Sequence, residues 1–396
     1  MTKVLKSDQI AFFPVGNGDT ILLSLKDNTN ILIDCNIAKN STDSNVEEKY
    51  DVMEYLLEKL PRDNNHRPHL DVFILSHPDI DHCRNISNYF YMGDPDKYGE
   101  KDKEKIIIDE LWFSPRIFNE HKNDLNDDAK NFRKESERRI KLYKNGEGKN
   151  DVEDTGVGNR VRIIGSTDNE KLENLKNITT PAGQYINIFN NKEQKEFKFF
   201  VLGPIKAETD DTEEERNKCS IILKAEFNIN SNETNNVVIL AGDSRIENWK
   251  RIMNLNSEEN LKFDIFLAPH HCSWYFFSKE DYKNKPVPEP DKDIISFIEY
   301  GKDSEDIRVI VASCKEIKRN EDNPPHYRAA NFYKKAVGEE NFYCLATYPD
   351  IDNPIPLVFT FTENGPIKQD IEETKKENAT APLIKVAATP KTYGQR

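Results

Sequence analysis

The sequence lacks the features that would place it outside the cell or in a membrane. Its six cysteines lie far apart, and none belongs to a CxxC pair. The first residues contain no apolar stretch as long as a signal peptide, and no later run reaches membrane-spanning length. We therefore predict a soluble protein of a reducing cytoplasm, with free thiols and no membrane contact.

The chain also lacks an excess of positive charge. It has 56 Lys and Arg residues against 70 Asp and Glu residues, which gives a formal net charge of −14 over 396 residues. Such a balance argues against binding nucleic acid by bulk positive charge, because that mode depends on clustered Lys and Arg. It does not exclude a nucleic-acid enzyme that holds metal ions in its cleft.

The distribution of polar residues suggests how the chain is organised. Apart from the apolar run 106–113, residues 92–165 are dominated by Lys, Asp, Glu and Asn, and residues 126–143 predict a solvated helix. The polar start of the final segment indicates a loose tail. We expect one main domain over residues 1–365, with a charged insertion at 92–165 and a C-terminal tail at 366–396.

Short apolar runs alternate with amphipathic stretches, and no internal repeat is visible. This pattern predicts an α/β (α+β) fold, with mixed sheets packed between helices. The predicted strands are Ile10–Val15, Thr20–Leu25, Asn30–Asp34, Leu70–Leu75, Val161–Ile164, Glu196–Leu202, Ser220–Phe227, Val237–Ala241, Phe263–Ala268, Val309–Ala312 and Pro356–Phe361, and the predicted helices are Glu47–Leu60, Ile246–Met253 and Tyr327–Ala336.

One short segment, SHPDIDHCRN at 76–85, concentrates metal-ligand residue types. His77, Asp79 and Asp81 alternate directly behind a buried strand, so their side chains can converge, and His82 points to a neighbouring place. Imidazole nitrogen and carboxylate oxygen together suit zinc, manganese or iron. Four ligands are more than one ion usually takes from a single loop, which favours two ions that share the loop. The alternative is a polar loop whose side chains cap a helix.

Three downstream features follow strand ends or precede a helix in the same way. Asp243 comes after the apolar run 237–241, where it can bridge two metal ions or cap the next helix. His270 and His271 follow the apolar run 263–268 directly. His326 precedes a predicted helix, although a lone histidine there is more often a cap or a surface residue. The remaining histidines, His66, His69 and His121, lie in polar loops and are predicted to be surface residues.

The ordered set of motifs resembles the metallo-β-lactamase superfamily, and most closely the soluble metallohydrolase domain of the ComEC competence family. The similarity extends over roughly residues 9–350 without the charged insertion. The segments that carry it are FFPVGNGDTILLSL with NILIDCN, LSHPDIDHCRNI, VLGPIK with NKCSIILK, LAGDSR, LAPHHCS and NPPHY.

The resemblance implies an αββα sandwich with two divalent metal ions, zinc or manganese, at the edges of the sheets. The first ion would be held by His77, Asp79 and one of His270 and His271, and the second by Asp81, His82 and His326, with Asp243 as the bridge. Asp19 and Asp34 match family aspartates that support the ligands. Asp79 stands where the family usually has histidine, and as a harder ligand it is predicted to shift the preference from zinc toward manganese or iron.

These expectations predict a dinuclear hydrolase that cleaves a phosphodiester, in DNA or RNA, with metal-activated water. Asp81, His270 and His271 are the predicted catalytic residues, and the histidine of the pair that binds no metal would protonate the leaving group. One alternative is a small-molecule substrate, such as a nucleotide, a cyclic dinucleotide or another ester. The negative net charge slightly favours this alternative, because it disfavours bulk binding of nucleic acid. Another is a subunit of a larger, defence-type complex, regulated by a protein partner through residues 92–165 or the tail.

Overall fold

The chain was analysed as a computed structural model that describes residues 5, 7–38, 49–119, 125–146, 154–165, 175–205, 219–230, 233–300 and 308–370. The strands are β1 (Gln9–Phe12), β2 (Ile21–Ser24), β3 (Asn30–Ile33), β4 (Cys35–Asn36), β5 (His69–Leu75), β6 (Phe90–Tyr91), β7 (Ile106–Phe113), β8 (Arg160–Ile164), β9 (Thr179–Thr180), β10 (Tyr185–Ile186), β11 (Ile188–Phe189), β12 (Lys192–Glu193), β13 (Phe197–Gly203), β14 (Ile222–Phe227), β15 (Asn236–Leu240), β16 (Ile265–Leu267), β17 (Val309–Ala312), β18 (Phe342–Cys344), β19 (Leu357–Thr362) and β20 (Gly365–Lys368). The helices are α1 (Val52–Lys59), α2 (Ile80–Cys83), α3 (Ile86–Tyr89), α4 (Arg116–Asn119), α5 (Asp127–Gly146), α6 (Ile246–Leu255), α7 (Pro269–Cys272), α8 (Lys292–Glu299) and α9 (Tyr327–Val337).

Two large mixed sheets contain most of these strands. The first has the order β20-β19-β1-β2-β3-β5-β7-β8-β9, and β6 also pairs with β7. The second has the order β10-β13-β14-β15-β16-β17-β18. In the first sheet β3, β5, β7 and β8 run parallel, and in the second β15 to β18 run parallel. The carboxyl ends of several strands therefore lie along one edge of each sheet.

Alternation along the strands builds the layers. In β5, Val72 and Ile74 pack in a core shared with the second sheet, whereas Phe73 and Leu75 pack in a core with α1 and α5. In the second sheet, alternate residues of β15 to β17 face that shared core, and the others pack against α6, α8 and α9. Because each sheet buries both faces, the order of layers is helix, sheet, sheet, helix. The predicted αββα sandwich is confirmed.

The charged range 92–165 contains core elements that its composition conceals. All eight residues of β7 are buried, and the strand lies between β5 and β8. Helix α5 forms where a helix was predicted, but it is not solvated all round. Its residues Phe132 and Arg139 are buried, and Arg139 pairs with Glu135 at 2.7 Å and donates to the backbone oxygen of Ile108 at 2.9 Å. The buried ion pair explains why a helix of charged residues can cover the sheet.

Some of the sequence-based assignments were wrong, and others fall on residues outside the described ranges. Helix α8 and strand β18 were not predicted. His69 is not a surface residue, because it is half-buried at the start of β5 and its Nδ1 lies 2.7 Å from Asp109 Oδ1. His121 and residues 371–396 of the tail lie outside the described residues, so the partner surface proposed there stays a prediction. Over the described ranges, no helix is long and apolar enough to cross a membrane.

Candidate metal centre

The two sheets bring their strand ends together at one edge of the sandwich. Ser76 follows β5, and its backbone oxygen accepts a hydrogen bond from the backbone N–H of Ile221, just before β14, at 3.0 Å. The segment 77–82 continues from Ser76, while Asp243 follows β15 and the turn α7 follows β16. The strand arrangement, rather than closeness in sequence, therefore assembles the predicted ligands.

The Asp243 carboxylate lies at the centre of four histidines. Its Oδ1 is 3.2 Å from Nε2 of His82 and 3.4 Å from Nε2 of His271. Its Oδ2 is 3.4 Å from Nε2 of His77 and 3.6 Å from Nε2 of His270. Each carboxylate oxygen thus faces its own pair of imidazoles. Helix α6 begins after Arg245, so Asp243 is not its N-cap.

Each of these two pairs of imidazoles also has an aspartate of the segment 77–82 beside it. Asp79 Oδ2 lies 3.7 Å from Nε2 of His77, and Asp81 Oδ2 lies 3.3 Å from Nε2 of His271. Asp79 stands at the N-cap position of α2, yet its side chain makes no capping hydrogen bond. The carboxylate is therefore not used to stabilise the helix, which removes the capping alternative for this residue.

Buried hydrogen bonds orient the first two imidazoles. Asp34 Oδ2 accepts from Nδ1 of His82 at 2.7 Å and from the hydroxyl of Ser76 at 2.5 Å. Since the Ser76 hydroxyl donates to Asp34, it accepts from Nδ1 of His77 at 3.0 Å. We assign the Nδ1–H tautomer to both rings on this basis. Their Nε2 lone pairs then point toward Asp243.

His271 is oriented by a backbone carbonyl. Its Nδ1 lies 2.9 Å from the oxygen of Ser313, which follows β17, and the backbone N–H of Gly18 also approaches this nitrogen at 3.2 Å. The carbonyl can only accept and is the nearer of the two, so we place the proton on Nδ1. The third ring then also presents Nε2 to the cluster.

The turn that carries the histidine pair is strained. His270, His271 and Cys272 have φ values of 48°, 55° and 65°, so three consecutive residues with side chains adopt the left-handed conformation. That conformation costs roughly 1 kcal/mol or more per residue that is not glycine. In this conformation both imidazoles of the pair face Asp243.

The residues fit a metal ion by two independent observations. Nε2 of His77, His82 and His271 and Oδ1 of Asp243 are all buried without a hydrogen-bond partner. Such groups cost free energy when they are buried and unsatisfied. In addition, the N···O separations of 3.2–3.7 Å exceed those of direct charged hydrogen bonds, at about 2.8 Å, but match the roughly 3.4 Å between two ligand atoms of one tetrahedral ion.

The electrostatics of the cluster favour positive charge. Burial lowers the pKa of His82, but the carboxylates of Asp243 and Asp34 outweigh it and raise the pKa well above its usual value. Burial also opposes charge on His271, yet Asp243 and Asp81 raise its pKa to about 9. At His270, burial and the positive charges of His271 and Arg245 outweigh Asp243 and lower the pKa to about 4. The carboxylates thus stabilise a cation at this place, whether protons or a metal ion carry the charge.

Among the described residues, ligand atoms form three close groups, in each of which they lie within 4.8 Å of one another. These groups are His77, His82 and Asp243; Asp81, His82 and His271; and Asp19, Asp34 and His82. Asp19 is buried, its Oδ2 is 4.0 Å from Nδ1 of His82, and burial raises its pKa to about 6. Asp19 and Asp34 therefore lie behind His82, on the side away from Asp243.

The structure does not bring His326 into the cluster. Its Nδ1 accepts from the backbone N–H of Trp274 at 2.8 Å, and its Nε2 lies 3.3 Å from the backbone oxygen of Asp322. Both ring nitrogens are thus engaged by the backbone, and neither offers a lone pair to an ion. This arrangement differs from the ligand role predicted from the sequence, and His271 takes the predicted position beside Asp81 and His82.

Three supporting residues were not found from the sequence. Ser76 and Ser313 orient imidazoles, and the Ser313 hydroxyl also donates to the backbone oxygen of Gly18 at 2.6 Å. A Cβ at Gly18, where φ is 137°, would lie 2.4 Å from the backbone oxygen of Asp81. Only glycine allows this approach. The signal for Ser76 was present, since it directly precedes His77, whereas Ser313 is distant in sequence from any ligand.

Comparison with known proteins adds little to this geometry. No family model matches the chain, and no curated protein matches it in sequence. Among solved structures, a protein described as a putative metal-dependent hydrolase, from Parabacteroides distasonis ATCC 8503, is similar over 85% of this chain and 92% of its own, with 11% sequence identity and a TM-score of 0.32. The assignment of the site therefore rests on the arrangement of its own residues.

Proposed function

We propose that this protein is a metal-dependent hydrolase that binds two divalent ions on either side of Asp243 and cleaves a phosphodiester. The observation that carries the proposal is the position of Asp243, because its two oxygens face different pairs of imidazoles. A carboxylate placed in this way is suited to bridging two ions. His77, Asp79 and His270 would hold one ion, and Asp81, His82 and His271 the other.

The ions would supply Lewis acidity and water activated near neutral pH. Asp34, Ser76 and Ser313 keep the imidazoles in the tautomer that ligation requires. Overall, one water adds its oxygen to phosphorus, the bond from phosphorus to the leaving oxygen breaks, and that oxygen takes up a proton. Both histidines of the 270/271 pair face Asp243, so we assign neither as the acid that protonates the leaving group, and the proton comes from solvent.

A phosphodiester is favoured because two adjacent cations can stabilise the charge on its non-bridging oxygens as the leaving oxygen departs. DNA or RNA remains one candidate substrate. A small diester is the second candidate, and the net charge of −14 favours it because long nucleic acids are attracted by clustered positive charge. Zinc and manganese both suit a set of four imidazoles and three carboxylates.

The test combines metal analysis with hydrolysis. The purified chain is expected to bind two equivalents of manganese or zinc and to hydrolyse bis(p-nitrophenyl) phosphate. Asp243→Asn should reduce turnover by at least about a hundredfold, because it weakens both ion sites. Asp8→Asn is a matched control, since Asp8 is equally buried but bonds to Lys26 N–H at 2.7 Å near the start of β1. Full activity in Asp243→Asn, or in Asp81→Ala combined with Asp243→Ala, would show the proposal to be wrong.

A further inference from the structure

A cavity of about 500 Å³ opens beside the candidate metal centre. Its walls come from three regions, at residues 14–17, 80–84 and 315–316, and from the loop that contains residues 346–354. Asp81 belongs to the wall, so the cavity reaches a proposed metal ligand directly. The volume is in the range of small-molecule sites, at roughly 300–1,000 Å³.

Positive charge is concentrated on this cavity, although the chain as a whole is acidic. Lys49, Arg84 and Lys315 all line it. Two nearby acids are paired: Glu316 lies 3.0 Å from Lys318, and Glu321 lies 2.8 Å from the ammonium group of Lys315, so an anionic ligand would share Lys315 with Glu321. Three basic side chains around one open cavity favour an anionic ligand, and they are too few to form a track for a long nucleic acid.

Two of these cations are positioned by the same segments that hold the ligands. Arg84 follows Asp81 by three residues, and its Nε donates to Asn36 Oδ1 at 2.9 Å. Asn36 is in turn fixed, since its Nδ2 donates to the backbone oxygen of Asn17 at 2.8 Å. The backbone N–H of Lys315 donates to Asn17 Oδ1 at 3.0 Å, two residues after the carbonyl that orients His271. The Arg84 guanidinium therefore has a defined place relative to the metal centre, and the backbone of Lys315 is anchored there while its ammonium group pairs with Glu321.

The cavity also has an apolar side. Ile80 and Ile351 line it, and their exposed fractions of 38% and 39% are high for isoleucine. Lys49 Nζ donates to the backbone oxygen of Ile351 at 2.9 Å, which ties this loop to the basic side. Exposed apolar surface next to convergent polar groups is typical of a ligand site.

We propose that this cavity binds a phosphodiester of nucleotide size, with Arg84 and Lys315 on its phosphate oxygens and Ile80 and Ile351 against its uncharged group. This inference rests on the proposed function and narrows its substrate. It assigns Arg84 as a residue that determines specificity. It also predicts that internal positions of a long strand are poor substrates, because three basic side chains are too few to hold the backbone on both sides of the cleaved bond.

The first experiment measures binding of thymidine 5′-monophosphate to the manganese-loaded chain by calorimetry. Arg84→Gln and Lys315→Gln should each weaken binding about tenfold to a hundredfold, as expected for loss of a charge-assisted hydrogen bond. Arg62→Gln and Lys97→Gln are matched controls, because these residues pair with Glu104 and Asp94 away from the cavity. Ile351→Ser should weaken binding of the nucleotide but not of inorganic phosphate. Equal binding by all variants, with unchanged metal content, would overturn the inference.

The second experiment separates this inference from the proposed function. Hydrolysis of thymidine 5′-(p-nitrophenyl) phosphate should show a raised KM and a nearly unchanged kcat in Lys315→Gln. Binding that depends on Arg84, without hydrolysis by the parent, would sustain the pocket and contradict the proposed function. Hydrolysis with the same KM in parent and variants would support the proposed function and contradict the assignment of Arg84 and Lys315 to substrate binding. Efficient cutting of circular single-stranded DNA would overturn the size limit, because a circle offers only internal positions.

Discussion

Asp34 accepts a hydrogen bond from Nδ1 of His82 at 2.7 Å, and this contact determines which imidazole nitrogen faces Asp243. The same carboxylate accepts from Ser76, which orients His77. One buried residue that lies behind the ligands therefore controls two of them.

Asp34→Asn is expected to lower metal affinity about tenfold to a hundredfold, because an amide has one acceptor oxygen where Asp34 uses two. Oδ1 accepts from the backbone N–H of Ser76, and Oδ2 accepts from His82 and the Ser76 hydroxyl, so the NH₂ group of Asn would face a donor at one of these places. Competition with a chromogenic chelator measures the change. Asp8→Asn, a buried substitution of the same kind near the start of β1, should leave the affinity as it is in the parent. Equal affinity in Asp34→Asn would mean that the ring orientation does not depend on this contact.

His271 and His326 distinguish the observed cluster from the one predicted by sequence. His271→Ala should lose one of two bound ions and most activity. His326→Asn should keep both, because an amide oxygen can still accept from the backbone N–H of Trp274. Atomic emission analysis of the dialysed proteins gives the stoichiometry. The reverse result would restore His326 as a ligand and would require a different position for its loop.

Removal of metal should destabilise the whole sandwich, since the ligands follow strands of both sheets. When the concentration of free metal ion is a thousandfold above the dissociation constant, one occupied site adds about 4 kcal/mol to the free energy of unfolding. Thermal denaturation with and without EDTA, at fixed ionic strength, measures this contribution. A transition that does not change on chelation would contradict ion binding at the junction of the sheets.

His69 predicts a pH dependence of stability that is independent of the metal centre. Burial lowers its pKa, but the hydrogen bond and charge of Asp109 outweigh burial, so the pKa lies above the usual value. The protonated ring then stabilises the fold fully below about pH 6.5, and this contribution is lost as the pH rises through the raised pKa. In urea unfolding, the stability difference between the parent and His69→Gln should shrink over that window. A difference that grows with pH would contradict the ion pair.

Cys344 should be the most reactive thiol among the described cysteines whose pKa values are shifted. Its Sγ lies 3.7 Å from that of Cys314, and a hydrogen bond from Cys314, with further ones near Thr347, lowers its pKa to about 7 against the effect of burial. Carboxymethylation of Cys344 by iodoacetate, followed by peptide mass spectrometry, should reach half its maximal rate near pH 7. Cys314→Ala should move the midpoint upward. A parent midpoint close to that of an ordinary thiol, at about 8.5, would count against the contact.

The sequence predicted those parts of the site that directly follow apolar runs. His77, Asp79, Asp81, His82 and Asp243 could be identified because parallel strands place their carboxyl ends together. The position of His271, and not His326, beside Asp81 and His82 could not be predicted, since it depends on the left-handed backbone at 270–272. No local pattern of residue types indicates that conformation, which a residue with a side chain rarely adopts.

In the fold, too, elements with a strong local sequence pattern were predicted, whereas elements that depend on tertiary contacts were not. Long apolar strands such as β5 were predicted to within one residue. The three-residue strand β18 was not, because its formation depends on pairing with β17. Helix α5 was wrongly predicted to be solvated, because its composition is rich in charged residues. Two of these, Arg139 and Glu135, are in fact buried as an ion pair.

The pairing of β1 with β19 has a consequence for synthesis on the ribosome. Gln9 to Phe12 pair with Leu357 to Thr360, so the nascent chain exposes one edge of its first strand until almost all of the sandwich has emerged. An unpaired edge can recruit other strands, and such intermediates aggregate readily. The proposed ligand set that includes His77 is likewise complete only after residue 271 has been synthesised. The proposed ions should therefore bind late in the maturation of this protein, and chaperones that shield strand edges should raise its yield.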